Sequence, residues 1–176
     1  MKKRGIQNLV LSAMFLAIGF VLPLFTGQIK VIGQMLLPMH LPVMLCGLIC
    51  GAPYGFAVGL LLPILRSVVF SMPPIYPNSV WMSLELAAYG LVIGLVYALF
   101  EKKNTLSVYV SLIAAMIAGR IVWGIAKAIL LGLGGKPFTF AMFIAGGFAE
   151  AFPGIILQLV LIPLIMVIIN RKRRTN

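Results

Sequence analysis

The chain has 176 residues, 62% of them hydrophobic and only 10% charged, with a mean hydropathy of +1.13. A soluble domain cannot hide that much apolar surface, so the composition excludes a soluble globular protein and marks an integral membrane protein. The net charge of +11 sits in short clusters beside apolar runs (Lys2 to Arg4, Lys102 and Lys103, Arg171 to Arg174), a pattern of topology determinants and not of a nucleic-acid-binding face.

A spanning helix needs about 20 mostly apolar residues, and the chain holds roughly six such stretches. The first covers about 6–25. Its basic start suggests a signal peptide, but the apolar run is too long for one and no A-x-A-like site precedes Pro23, so it reads as a span. A loop with Gly27 and Gly33 leads to a second helix over about 38–51, and the turn GAPYG separates it from a third over about 54–71. The loop SMPPIYPNS, with three prolines, ends that helix because proline cannot continue it. A fourth helix follows over about 79–100, a fifth over about 106–132 up to the break GLGGKP, and a sixth over about 139–170. Pro153 and Pro163 are expected to kink the sixth. The expected fold is all-α: one membrane domain of six transmembrane helices covering residues 1–176.

Six spans put both termini on one side together with the Lys102/Lys103 loop, leaving only Lys30 and Lys136 for the opposite side. By the positive-inside rule both termini are cytoplasmic. Small residues recur four apart (Ala13/Ala17, Gly47/Gly51, Gly55/Gly59, Gly90/Gly94), and such faces let helices approach closely in lipid. Cys46 and Cys50 read as small packing residues, since no His or Asp beside them completes a zinc site.

On this topology His40, Arg66, Glu85, Arg120, Lys127 and Glu150 all fall in the outer half or near the midplane. Charges inside a membrane face a partner or a water-filled cavity, so the one-sided distribution points to a cavity open to the outside. Arg66 and Glu85 flank one short loop and are expected to pair, as are Arg120 and Glu150 at similar depth; both pairs read equally as structural locks or as ligand contacts. Lys127 is left without a carboxylate, which favours an anionic or strongly polar ligand. Arg120, Trp123, Gly124 and Lys127 share one helical face, suited to a planar, hydrogen-bonding ligand. Trp81, Tyr89, Tyr76 and Asn78 are further candidates, with an interfacial aromatic belt as the competing reading for Trp81 and Tyr76. His40 reads as a hydrogen-bonding residue, not a metal ligand. The chain has no Asp, no H-E-x-x-H, no G-x-S-x-G and no P-loop, so neither an enzyme nor a self-powered ATPase is expected, and no cofactor or metal.

The stretch LSAMFLAIGFVLP, with Ala13 and Ala17 after a short basic start, resembles the first helix of the substrate-binding S components of energy-coupling factor (ECF) vitamin transporters. LLPMHLPVMLCGLICGAPYGFAVGLLLPILRSVVF is similar to their helix 2 and 3 region, and the likeness extends over the full length. The resemblance implies a high-affinity binding subunit for a water-soluble vitamin or related micronutrient in a prokaryotic cytoplasmic membrane. Its implied partners are a transmembrane coupling protein, docked on the Ala13/Ala17 face, and two ATPase subunits. The chain departs from the nickel and cobalt S components, whose Met-His pair is N-terminal, because Met39-His40 is internal. No motif selects among cobalamin or its precursors, pantothenate, riboflavin, and pyrimidine or pyridine vitamins. The competing reading is a stand-alone secondary carrier or small channel for an organic anion. A carrier places coupling charges at the midplane and opens to both faces, whereas the inner halves here are apolar.

Overall fold

Hydrocarbon offers backbone groups no hydrogen-bond partner, so an apolar chain of this length satisfies them within helices. The computed structural model describes residues 2–25, 35–135 and 137–175, and among these there are helices and no strand. The helices are α1 (Lys2–Val21), α2 (His40–Cys50), α3 (Ala52–Phe70), α4 (Val80–Leu99), α5 (Thr105–Leu133), α6 (Phe140–Ile144) and α7 (Phe152–Thr175). Lys30, Lys136 and the Gly27/Gly33 loop lie outside the described residues.

Five segments are long and apolar enough to cross a membrane: Gly5–Leu24, Ala52–Phe70, Ile75–Leu99, Thr105–Leu133 and Phe152–Arg171. The expected second span is shorter. Helix α2 has 11 residues, about 16 Å at 1.5 Å per residue, against a hydrocarbon core of about 30 Å. Nine of its residues are buried, so it is a core helix enclosed by its neighbours. The expected sixth helix is divided. Helix α6 passes into a wide turn over Ala145–Ala149, and α7 begins at Phe152. Pro153 falls in the first turn of α7, where its missing N–H removes no helical bond, while Pro163 lies inside the helix.

Helix α4 is central, packing closely on α3, α5 and α2. Glycine allows this. A Cβ on Gly55 would stand 2.5 Å from the Gly90 carbonyl oxygen and 2.7 Å from Cα of Gly47. Gly47, Gly55 and Gly90 therefore meet one another, backbone against backbone. Two buried apolar clusters fill the remaining space, one around Met44, Tyr89, Leu112 and Ile162, the other around Val43, Cys46, Leu62 and Leu86.

Helix α1 sits at the edge and is held near both ends. Asn8 Nδ2 donates to the Cys50 carbonyl at 3.1 Å and the Tyr54 hydroxyl to that of Gly5 at 3.3 Å. Near the other end Arg66 Nη1 donates to the Phe20 carbonyl. Ser12, Phe15 and Gly19 turn inward, while Ala13, Met14, Ala17 and Ile18 are exposed. Helix α5 starts on a capping box: Asn104 Oδ1 accepts from Ser107 N at 2.9 Å, and Ser107 Oγ accepts from Asn104 N at 3.1 Å.

Candidate functional site

The ends of these elements that lie away from the N-terminus of α1 enclose a cavity of about 350 Å³. Pro23 follows α1, His40 opens α2, and Arg66 lies in the last turn and a half of α3. Asn78, Trp81 and Glu85 come from the turn before α4 and its first turns. Arg120, Trp123 and Lys127 come from one face of α5, as their spacing predicts, and Gly146 and Glu150 come from the segment joining α6 to α7. Nine of the eleven substrate-site candidates thus line one cavity. Tyr89 does not: it is buried behind His40, the two rings edge-on with centroids 5.0 Å apart. Gly119 makes room for it, since a Cβ there would strike the Tyr89 ring. Tyr76 is also outside the lining and is 61% exposed, as an interfacial aromatic is.

The expected ion pairs are not the ones formed. Glu85 pairs with Arg120, whose Nη1 donates to Oε1 at 3.0 Å, and His40 Nε2 stands 3.3 Å from the same oxygen. All three residues are buried. The carboxylate only accepts, which selects the His40 tautomer carrying its proton on Nε2. Arg66 instead turns toward α1 and donates to the Phe20 carbonyl, its guanidinium 5.1 Å from the Phe70 ring centroid. Its place near the end of α3 leaves it facing the end of α1, across from the loop it was expected to bridge. Glu150 is exposed and forms no ion pair with Arg120, because the wide turn carries it away from the bundle interior.

Lys127 has no carboxylate within ion-pair distance among the described residues. Its Nζ instead lies 4.5 Å from the Trp123 ring centroid, 5.5 Å from Phe138 and 5.6 Å from Trp81. An ammonium over aromatic faces is held by the ring quadrupoles. Gly146 and Gly147 rest on Trp123, where a Cβ on Gly146 would come within 3.1 Å of the indole. Several buried polar atoms have no partner among the described residues: His40 Nδ1, and Nε and Nη2 of Arg120. No group of His, Cys, Asp or Glu suited to a metal occurs among the described residues.

Sequence reasoning missed the apolar and backbone part of the lining: Met39, Met72, Met82, the Pro73-Pro74 pair and Gly146. The Pro-rich loop was legible as a break. Asn78 within it was a site candidate; how the loop is anchored was not legible, because that depends on Ser67, which bonds to the Pro73 carbonyl and to Ser79 across α3 and the loop.

A bundle of apolar helices with an aromatic- and charge-lined cavity at one end fits a membrane-embedded binding protein. The family model for the substrate-specific component of ECF transporters matches residues 7–166, and the chain belongs to that family. The family is a transporter substrate-binding component and not an enzyme family. No curated protein and no solved structure matches the chain significantly.

Proposed function

We propose that the protein is the high-affinity binding subunit for a water-soluble vitamin or related micronutrient, and that it hands its ligand to an ATP-driven ECF coupling module for import. Residues 1–176 act as one membrane domain, crossing a prokaryotic cytoplasmic membrane six times with both termini inside, α2 being the shortest crossing. The cavity then opens outward. The observation that supports this reading is the confinement of His40, Arg66, Glu85, Arg120 and Lys127 to one cavity at one end of the bundle. The opposite end around Tyr97, Val108 and Met166 is packed with apolar side chains, as expected of a binder that needs a partner to release its ligand inward. The exposed Ala13/Ala17 face of α1 is the proposed docking surface for the transmembrane coupling protein, with two ATPase subunits behind it.

A ligand that binds only the folded state raises the melting temperature by mass action. The purified chain in detergent, without partners, is expected to show one clear shift across a panel of vitamins and precursors. Mass spectrometry of the protein purified with its partners is expected to find ATPase subunits and the same small molecule. No shift across the panel together with no co-purifying ATPase would overturn the proposal.

A further inference from the structure

The size, charge and unused hydrogen-bonding groups of the cavity constrain what fills it. Its volume of about 350 Å³ lies within the range of small-molecule sites, about 300–1,000 Å³. Its lining carries three cations, Arg66, Arg120 and Lys127, against two carboxylates, Glu85 and Glu150. Arg120 and Glu85 neutralise each other, which leaves Arg66 and Lys127 against the exposed Glu150. One positive charge is left in surroundings where charge is poorly screened.

The guanidinium of Arg120 is the most specific feature. Among the described residues only Nη1 is bonded, to Glu85, while Nε and Nη2 are buried without a partner in a residue that is 4% exposed. Buried donors are nearly always satisfied, and Nε and Nη2 together form the edge that grips a planar carboxylate through two parallel bonds. One helical turn further along α5, Trp123 offers a flat face, and Lys127 follows a turn later, its ammonium between Trp123, Trp81 and Phe138. Trp81 and Trp123 are the only tryptophans in the chain, and both line this cavity.

Resting on the binding-subunit reading, we infer that the ligand is a monoanionic carboxylic acid with an aromatic ring. Its carboxylate is gripped by the free edge of Arg120, its charge is balanced by Lys127, and its ring lies against Trp123 and Trp81. Arg120 alone is already neutralised by Glu85, so it supplies direction while Lys127 supplies net charge. A neutral amide of the same shape keeps the ring contacts and one hydrogen bond to Arg120 but forfeits the ion pair.

The test uses the full chain in detergent and measures affinity by calorimetry. The probes are pyridine and pyrimidine carboxylates, their matched carboxamides, riboflavin and cobalamin. At least one carboxylate is expected to bind 100-fold or more tightly than its carboxamide. In Lys127→Met that preference is expected to drop below tenfold, with Lys127→Arg restoring it. Arg120→Lys keeps a cation beside Glu85 but removes the two-pronged edge, and is expected to weaken the acid more than the amide; Lys127→Met carries the test if that variant does not fold. If the tightest ligand is an amide, riboflavin or cobalamin, or if Lys127→Met leaves the preference unchanged, the inference is overturned while the binding-subunit reading stands. No binding by any probe overturns the inference, and if the wider vitamin panel also fails and no ATPase co-purifies, the binding-subunit reading falls with it.

Discussion

Arg120 on α5 donates to Glu85 on α4 at 3.0 Å, with both side chains almost wholly buried. Removing one member of a buried pair leaves the other charge unpaired, which costs about 3–5 kcal/mol. Glu85→Ala is therefore expected to lower stability by about that much, and Glu85→Gln by less because the amide oxygen still accepts. The double variant Glu85→Ala with Arg120→Met is expected to recover much of the loss. The same cycle with Arg66 in place of Arg120 should give a coupling within about 0.5 kcal/mol of zero, since the two sites share no bond. Chemical unfolding in detergent measures both cycles; a large Arg66–Glu85 coupling would contradict the pairing described here.

Arg66 has a different task. Its bond to the Phe20 carbonyl and its position over Phe70 tie the end of α1 to α3, and hydrogen bonds from charged donors contribute about 1.5–3 kcal/mol. Arg66→Met keeps apolar bulk but not the donor. Faster amide exchange is expected in the last turn of α1 and in Leu22–Phe25, with α4 and α5 unchanged. Unchanged exchange near Phe20 would show that the bond does not hold the helix end. Arg66 also lines the cavity, so one side chain touches both the cavity and the end of α1.

Much of this architecture was legible in the sequence for identifiable reasons. Apolar runs mark the long helices, and the Arg120, Trp123 and Lys127 face follows from helical periodicity alone. Which charges meet was not legible, because partner choice depends on how each helix is rotated in the bundle. Arg66 and Glu85 flank one loop, yet Arg66 faces α1 while Glu85 faces α5 and α2. The short α2 was bounded to within two residues at either end, but that its neighbours enclose it was not legible, because a helix apolar on all sides shows no polar face. The division of the last helix was missed although Gly146-Gly147 and Pro153 stand close to it; prolines were read as kinks in one long helix.

Gly55 and Gly90 set the distance between α3 and α4. A Cβ on Gly55 has backbone on two sides, the Gly90 carbonyl and Gly47 Cα, and backbone cannot swing aside as a flexible side chain can. Gly55→Ala is expected to cost about 1–3 kcal/mol, in the range of overpacked cores, and to weaken ligand binding by displacing the α4 end that carries Trp81 and Glu85. Gly132→Ala is the control: a Cβ there meets nothing within 4 Å, so its melting temperature should match or slightly exceed the parent, alanine being the better helix former. Equal stability of the two variants would mean that α3 and α4 are not held by this contact.

Ala13 and Ala17 lie one turn apart on the exposed face of α1. Both side chains are exposed, so an indole at either position has room outside the bundle. Ala13→Trp and Ala17→Trp are therefore expected to fold and to bind ligand with parental affinity. Small side chains let a second helix approach closely in lipid, and an indole holds it away. If this face docks on the coupling protein, cells carrying either variant with the rest of the module should fail to accumulate ligand, and the ATPase subunits should no longer co-purify. A bulky substitution elsewhere on the exposed surface, such as Ile129→Trp on α5, where Ile129 is 57% exposed, should leave uptake intact. Loss of binding together with uptake would mean that α1 supports the cavity directly, through Phe20 and Arg66. Normal uptake in both alanine variants would show that the face meets only lipid, and the docking surface would have to be sought on another helix.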